Sequence, residues 1–220
     1  MAPSHAPNPH ITIRAPTPQT LPALKRLNAL LLPINYPESF YNEILASPTT
    51  TRLTRLAFWF HSVTPPRTNG DVRTLLDGGE SDGEEERWSE EQGNCVGGVR
   101  CRLEPPPPHA SPELPPSRQG GSIYIMTLCT LSPYRHLGVG TQLITSVLSA
   151  AVELGCSEVY AHVWEANTDA LDWYRKRGFD VDSGEVVQGY YRKLRPAGAR
   201  VVRRRVGIAD ALVTAGRELK

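Results

Sequence analysis

The residues of this chain that could do chemistry form two groups, a glycine-containing loop and a tyrosine–histidine pair. The loop, residues 135–140, reads RHLGVG and joins a β-rich run to an amphipathic helical pattern. Backbone N–H groups at a helix N-terminus bind phosphate, helped by the positive end of the helix dipole. Tyr124 and His162 lie in two runs that predict neighbouring strands, with no carboxylate evident beside them. The sequence therefore predicts a phosphorylated cofactor next to a modest general base.

The composition of the loop restricts which cofactor it could hold. Gly140 is followed by Thr141 and Gln142 and not by Lys-Ser or Lys-Thr, which excludes the P-loop that grips a nucleotide triphosphate. The GxGxxG dinucleotide fingerprint is also absent. What remains is Arg-x-x-Gly-x-Gly, and a pattern this short also fits a plain turn between a strand and a helix. The flanking sequence has to decide between these alternatives.

Overall composition predicts one soluble domain inside the cell. The chain has 220 residues and a net charge of +1, which argues against direct nucleic-acid binding. No apolar run reaches the ~18–20 residues that span a bilayer, and the N-terminus lacks the apolar core of a signal peptide. The four cysteines show no CxxC pair and no nearby histidine cluster. We expect buried free thiols in a reducing compartment and no metal site.

The chain is uneven, with a folded part interrupted by biased segments. Residues 61–93 are rich in Pro, Gly, Ser and acidic side chains, and residues 104–120 are rich in proline. Both are predicted to be disordered insertions because they have too few apolar residues to form a core element. Residues 1–9 are predicted to be a flexible N-terminus, and 197–220 a basic tail with some helical character. This tail is either solvated or in contact with RNA or an acidic protein face. The single domain is then 10–196.

Hydrophobic periodicity within that domain predicts seven strands and four helices. The predicted strands are 10–14, 55–60, 95–103, 123–130, 158–164, 179–187 and 189–194. The predicted helices are one capped by Thr20 and ended by Pro33, one that starts at Pro37, one over 141–154, and one over 167–177 with Asn167 as N-cap and Gly178 as its stop.

The order strand, glycine loop, helix, strand, helix, with hairpins on either side, resembles the GNAT acyltransferases. Closer similarity is carried by the segments LKRLNALLLPINYPESFY (24–41), YIMTL (124–128), YRHLGVGT (134–141), AHV (161–163), DWYRKRGF (172–179) and GYYRKL (189–194). They resemble the catalytic subunits of NatE, the San-like enzymes that acetylate an initiator methionine. The resemblance implies an α/β fold with a mixed, mostly antiparallel sheet of about seven strands flanked by about four helices. It also implies acetyl-CoA as the cofactor.

The resemblance also implies roles for three catalytic residues. Tyr124 is expected to be the direct base and His162 to hold or relay through an ordered water. Tyr174 is expected near the sulfur of CoA, where it would protonate the leaving thiolate. Each of the three could instead be an ordinary core residue. The cysteines are poor candidates for a covalent intermediate, so transfer is expected to be direct, in a ternary complex.

The cofactor residues implied by the resemblance lie on strand 123–130, in the loop and at two helix starts. The pantetheine arm is expected to add its amides to the edge of this strand, which splays from the strand that carries His162. The N–H of Leu128 is expected to polarise the thioester carbonyl. The full set is Met126, Thr127, Leu128, Arg135, His136, Leu137, Gly138, Val139, Gly140, Thr141, Asn167 and Tyr174.

The substrate residues implied by the resemblance come from two separated segments. Tyr36 and Tyr190 are expected to hydrogen-bond the peptide backbone. The chain departs from the family at Leu32, where an aromatic residue is common. The side chains expected to enclose the methionine are Leu32, Pro33, Ile34, Tyr191 and Leu194, and Tyr124, Met126 and His162 complete the substrate set.

The leading hypothesis is therefore an enzyme that acetylates protein N-termini that keep the initiator Met, above all Met followed by a hydrophobic residue. An α-amine has a pKa of roughly 7.7–8.0 against about 10.4 for lysine, so a modest base suits N-termini better. An acetyltransferase for lysine or small amines and a non-catalytic acetyl-CoA-binding subunit remain alternatives. The expected partners are nascent or mature protein N-termini and the NatA auxiliary and catalytic subunits near the ribosome. The expected location is the cytoplasm, alone or together with the nucleus.

Overall fold

The computed structural model describes residues 8–61, 93–106, 120–207 and 209–210, and most of the predicted N-terminus, of both insertions and of the tail beyond 207 lies outside these residues. The strands are β1 Ile11–Arg14, β2 Thr54–Trp59, β3 Asn94–Glu104, β4 Ser122–Thr130, β5 Glu158–Trp164, β6 Asp180–Val187 and β7 Ala199–Arg205. The helices are α1 Leu21–Leu31, α2 Glu38–Asn42, α3 Pro48–Arg52, α4 Val139–Glu153 and α5 Thr168–Arg175, with short 3₁₀ turns at Glu43–Leu45 and Ser132–Tyr134.

The seven strands form one mixed sheet in the order β1-β2-β3-β4-β5-β7-β6. Only β4 and β5 run parallel, and every other neighbouring pair is antiparallel. The parallel pairing stops at Ile125 and Ala161, although both strands continue. In the pairing of β4 with β3, Met126 is skipped, as in a β-bulge. The predicted splay between these strands is therefore confirmed, and it opens a V-shaped gap in the middle of the sheet.

Two glycines allow helices to pack closely on both faces of the sheet. A Cβ on Gly97 would lie 2.9 Å from Val139 of α4, and a Cβ on Gly98 would lie 2.7 Å from Leu24 of α1. The larger core lies between the sheet and helices α4 and α5, and a smaller one lies under α1 and α2. Each fully buried Leu or Ile in these cores contributes about 1.5–3 kcal/mol. The two layers hold the gap between β4 and β5 in place.

The mostly antiparallel seven-stranded sheet was predicted correctly, and most elements lie within a few residues of their predicted bounds. The N-terminal helix also begins where predicted, but Thr20 does not cap it, because its Oγ1 accepts from the N–H of Thr17 over 2.8 Å. The short α3 was not predicted, although Ser47 is a true cap that accepts from the N–H of Thr50 over 3.2 Å. Helix α4 begins at Val139, two residues earlier than expected.

The end of the domain was predicted wrongly. Residues 189–194 form turns and not a strand, and the last strand is Ala199–Arg205, inside the region predicted to be a basic tail. This strand lies between β5 and β6, so the domain extends beyond residue 196. Its arginines hid its strand character, because they carry charge at the surface while Val201 and Val202 are buried. Within the described part of the chain no helix has both the length and the apolar character to cross a membrane.

Candidate active site

Tyr124 and His162 lie on either side of the gap between β4 and β5, where their rings meet edge to face. The ring centroids are 5.5 Å apart with an interplanar angle of 80°. Tyr190, from the loop between β6 and β7, stacks on the imidazole at 4.4 Å and 9°. Its hydroxyl also lies 2.5 Å from the hydroxyl of Tyr124. The fold thus brings together Tyr124 and His162, the pair identified from sequence, and Tyr190 contacts both of them.

The electrostatic surroundings give these residues different capacities for a proton. Burial lowers the pKa of His162 and Arg203 lowers it further, while Glu104 opposes both. Its Nδ1 atom is buried and has no hydrogen-bond partner among the described residues. Burial raises the pKa of Tyr124, and the hydrogen bond with Tyr190 adds to this. A neutral imidazole is therefore available as an acceptor at pH 7, whereas the phenol keeps its proton. This order favours His162 as the direct base, the reverse of the expected division of roles.

A carboxylate lies next to this pair, contrary to the expectation from sequence. Glu104, the last residue of β3, accepts from the hydroxyl of Tyr160 and from Nη2 of Arg102, each over 2.5 Å. Burial raises the pKa of Glu104, but the hydrogen bonds from Tyr160 and Arg102 and the charges of Arg102 and His162 together outweigh it, so the net pKa is lowered. Pairing β3 with β4 in the correct register would have predicted this carboxylate, because Arg102 lies opposite Tyr124 and Glu104 opposite Ser122. The intervening insertion obscured that register.

An apolar cavity of about 270 Å³ lies next to the Tyr124–Tyr190–His162 cluster. Tyr190 belongs to both the cavity wall and the cluster, and Tyr191 donates from its hydroxyl to the His162 carbonyl over 3.0 Å. Five predicted substrate residues line the cavity, and Leu32 is not among the lining residues. The complete lining is Pro33, Ile34, Asn35, Tyr190, Tyr191, Arg192, Lys193 and Leu194.

Tyr36 is half-buried, does not line the cavity and already has contacts of its own. It stacks on Phe40 at 4.1 Å, and its hydroxyl lies 3.4 Å from the carbonyl of Met126 in the bulge of β4. Burial raises the pKa of Tyr36 to about 12, and the neighbouring Tyr190 adds to this. The phenol is therefore a donor at neutral pH, which suits the expected contact with a peptide carbonyl.

The predicted phosphate loop presents backbone and not side chains at its open face. Gly138 is the N-cap of α4 with φ +95°, and nothing lies within 4 Å of the position its Cβ would take. His136 also has positive φ, at 63°. Val139 is buried in the core, and a Cβ on Gly140 would lie 3.0 Å from Trp173, so both residues face away from the open side. The first N–H groups of α4 thus point at an open cradle, and this donor set fits a diphosphate.

Side chains around the cradle brace it from several directions. Thr141 accepts from Nη2 of Arg177 over 2.6 Å, and this guanidinium stacks on Trp173 at 3.8 Å. The exposed Arg135 donates from Nε to the carbonyl of Thr130 over 3.2 Å. The Leu137 carbonyl accepts from Nδ2 of Asn8 over 3.0 Å, just ahead of β1. Neither Asn8 nor Arg177 was identified from sequence, since both are contacts across the fold.

The remaining predicted residues occupy structural positions around the gap. Tyr174 is 6% exposed and packs edge to face on Trp173 and Phe179, and burial raises the pKa of its phenol. Asn167 caps α5 as predicted, accepting from the N–H of Ala170 over 3.1 Å. Thr127 is buried in the half of β4 that pairs with β3 but no longer with β5, and its Oγ1 has no partner among the described residues. Leu128 follows it on the side of α4.

The four cysteines are free thiols, three of them buried and Cys95 half-buried, as predicted. Burial raises the pKa of Cys95 to about 11 and that of Cys129 to about 12. Such thiols are weak nucleophiles at neutral pH. Within the described ranges no group of three or more His, Cys, Asp or Glu is arranged to hold a metal ion.

Comparison with known proteins places this architecture in a family. Residues 51–179 match the model of the acetyltransferase (GNAT) family. The chain is 30% identical over 189 residues to N-alpha-acetyltransferase 50 of Danio rerio, covering 86% of this chain and 84% of that protein. It is 26% identical to the probable N-acetyltransferase san of Drosophila melanogaster, covering 86% and 77%. Among solved structures it resembles Arabidopsis thaliana Naa50 in complex with the bisubstrate analogue CoA-Ac-MVNAL, with a TM-score of 0.62, 26% identity, and 89% and 98% coverage.

The fold and the cradle define an acyltransferase that uses a CoA thioester. The chain belongs to the acetyltransferase (GNAT) family, in the branch of the N-alpha-acetyltransferase 50 enzymes, and its acyl donor is acetyl-CoA. The resemblance inferred from sequence is thereby confirmed, as are the fold and the cofactor.

Proposed function

We propose that this enzyme acetylates the α-amino group of proteins that retain their initiator Met, and prefers a hydrophobic second residue. The observation that carries the proposal is the apolar cavity, because its wall residue Tyr190 also contacts Tyr124 and His162. A side chain in this cavity would hold the first residue of a peptide, with its amine beside the proton acceptor. The peptide part of the analogue bound to Arabidopsis Naa50, MVNAL, begins with methionine.

Selection of the first residue comes from burial in the cavity. The lining surface is mainly apolar and includes Ile34, Tyr191 and Leu194. Transfer of a methionine side chain out of water contributes about 1.5–3 kcal/mol, which glycine or serine cannot supply. We expect Tyr36 and Tyr190 to hydrogen-bond the peptide backbone beyond that residue.

Proton transfer is the part of the reaction that the side chains perform. An α-ammonium must lose a proton before it can attack, and with a pKa of roughly 7.7–8.0 it needs little help near neutral pH. His162 accepts this proton, directly or through a water, because burial and the nearby Arg203 lower its pKa and keep its imidazole neutral. Tyr124, which keeps its proton, orients the amine or the water through its hydroxyl.

Acetyl-CoA, when bound, supplies the acetyl group as a thioester. The cradle at Gly138 would hold its diphosphate, and the unpaired edge of β4 beyond Ile125 would hold the amides of the pantetheine arm. The N–H of Leu128 is our candidate for polarising the carbonyl. Tyr174, protonated in its buried position, is the candidate donor to the leaving sulfur. The raised thiol pKa values support direct attack in a ternary complex and no acyl-cysteine.

The test is a comparison of acetylation rates of the purified chain on four peptides, which begin Met-Leu, Met-Ala and Ser-Glu or carry lysine behind a blocked N-terminus. The proposal expects the fastest turnover on Met-Leu, and intersecting lines when both substrates are varied. Turnover on lysine alone would replace it with the lysine-acetyltransferase hypothesis. Binding of CoA without turnover on any peptide would favour a non-catalytic subunit. Parallel initial-rate lines would contradict the ternary complex.

We further propose that the protein acts in the cytoplasm with the NatA auxiliary and catalytic subunits near the ribosome. The support is the resemblance to NatE catalytic subunits, since no surface feature of the described residues identifies such a partner. Mixing the purified chain with the two NatA subunits and measuring co-elution in size-exclusion chromatography tests this proposal. Elution of the chain apart from both subunits at micromolar concentration would contradict it.

A further inference from the structure

A cluster of charged and aromatic side chains lies against the catalytic pair, at the neighbouring ends of β3, β5 and β7. Tyr160 is at its centre and donates from its hydroxyl to Oε2 of Glu104 over 2.5 Å. Its ring centroid is 5.0 Å from that of Tyr124 and 6.1 Å from that of His162. Tyr160 is therefore in contact range of both residues assigned to proton transfer, although no role has been assigned to it.

Opposite charges approach Tyr160 from two sides. Glu104 holds the hydroxyl and is itself bonded to Arg102, whose Cζ lies 5.4 Å from the ring centroid of Tyr124. Arg203 pairs with Tyr160 across the β5–β7 ladder, and its Cζ lies 5.4 Å from the ring centroid of Tyr160. The carboxylate and the guanidinium are thus both anchored beside the ring that touches His162.

We propose that Tyr160 is a positioning residue for Tyr124 and His162, fixed by its hydrogen bond to Glu104, and that Glu104 and Arg203 act on the imidazole with opposite charge. This inference rests on the proposed function, because it assumes that His162 accepts the proton. A negative charge nearby favours the imidazolium and a positive one disfavours it. The balance between Glu104 and Arg203 then determines how far into the acid range His162 remains neutral.

The other ionisable groups around the imidazole contribute less to the charge at His162 than Glu104 and Arg203 do. The tyrosines are uncharged near neutral pH, since the pKa values of Tyr124, Tyr160 and Tyr191 are all raised by burial. Arg102 stays charged and offsets part of the charge of Glu104 through their ion pair, and Glu158 likewise offsets part of the charge of Arg203 over 2.9 Å. The groups that face His162 are Arg102 and Glu104 from β3, Tyr124 from β4, Tyr160 from β5, Tyr190 and Tyr191 from the β6–β7 loop, and Arg203 from β7.

The direct test is an NMR titration of the His162 imidazole in the full chain without substrate, with the signal assigned by its loss in His162→Gln. We expect Glu104→Gln to lower the pKa of His162 by about half a unit, and Arg203→Gln to raise it by about as much. Glu153→Gln and Arg205→Gln remove the same charges further away and are expected to shift it much less. If the pKa of His162 shifted in the same direction in Glu104→Gln and Arg203→Gln, or in neither, the proposed charge balance would be overturned.

The positioning role is tested by steady-state kinetics of Tyr160→Phe, which keeps the ring and loses the hydroxyl. We expect kcat to fall about tenfold with KM for the Met-Leu peptide within about twofold, because orientation and not binding is lost. Unchanged kcat in Tyr160→Phe, or a fall in kcat with a matching rise in KM and lost thermal stability, would overturn the role. The titration of His162 requires no acetyl acceptor. It therefore tests the charge balance even if the enzyme proves to acetylate lysine.

Discussion

The two ends of the gap between β4 and β5 are built on different principles. At the start of α4 the groups that face the open side are backbone N–H groups around Gly138, while the neighbouring Val139 is buried in the core. At the other end the working groups are the side chains of Tyr124, His162 and Tyr190, packed ring against ring. One site depends on backbone conformation, and the other depends on the identity of its side chains.

This difference determines which substitutions each site tolerates. Backbone donors are supplied by any residue that can adopt the required φ and ψ, so most side-chain changes in the loop should have small effects. Proton transfer requires a particular functional group, so a change that preserves shape can still abolish it. The predictions below rank substitutions by this reasoning.

The largest effect is expected at His162. Replacement by alanine removes the proton acceptor, and kcat/KM for a Met-Leu peptide should fall about 100-fold, the lower range for a lost general base. Because the phosphate cradle lies at the other end of the gap, the Kd for acetyl-CoA measured by calorimetry should not change. A loss of acetyl-CoA affinity equal to the loss of activity would show that the two ends are not separate.

A smaller loss is expected in the wall of the apolar cavity. Ile34→Ser replaces an apolar contact with a hydroxyl, and KM for the Met-Leu peptide should rise about tenfold while kcat stays near the parent value. The matched control is Leu30→Ser, the same kind of change at a side chain that is 68% exposed on nearby α1. An equal rise of KM in both variants would mean that the cavity does not hold the first residue.

At the backbone-built end, the one side-chain change expected to matter is at Gly138. Alanine is strained at φ +95°, by about 1–2 kcal/mol, although its Cβ would have open space. Relief of this strain should displace the loop and raise the Kd for acetyl-CoA about fivefold. Gly155→Ala is the matched control, because Gly155 has φ +66° and equally open surroundings at the other end of α4. It should lower the melting temperature similarly and leave the Kd unchanged.

The smallest effect is expected at Arg135, although it is the most conspicuous residue of the loop in sequence. Its side chain is exposed and donates to the Thr130 carbonyl. Arg135→Gln should raise the Kd for acetyl-CoA less than about threefold at physiological salt, since an exposed charge contributes little there. A tenfold loss in calorimetry would place a side chain among the principal anion contacts and weaken the contrast between the two ends.

The sequence was most informative where a pattern is local. The alternation in 123–130 and 158–164 located the two central strands, and Asn167 identified the cap of α5. Tyr190 and Tyr191 were placed near the substrate, although the strand predicted around them was wrong. The resemblance to a family supplied their role, which no periodicity contains.

The contacts that sequence could not supply are those that join distant segments. Glu104 reaches Tyr160 only because β4 pairs with β3 and with β5 in one particular register. Arg177 reaches Thr141 because α5 packs on the first turn of α4 at Gly140. The strand over 199–205 looked like a solvated tail because its charges outnumber its valines. The segment is nevertheless a strand, because it pairs with β5 on one side and with β6 on the other.

The position of β7 has a consequence for the folding of the enzyme during its synthesis. Every catalytic, cofactor and substrate residue named above precedes residue 195, and all of them leave the ribosome before β7 does. Until β7 inserts, β5 lacks its ladder along 158–164 and β6 has no strand to pair with. A single domain generally folds as one unit. Since its working sheet lacks an interior strand until β7 has emerged, we expect a newly made molecule to stay inactive until β7 pairs with β5 and β6.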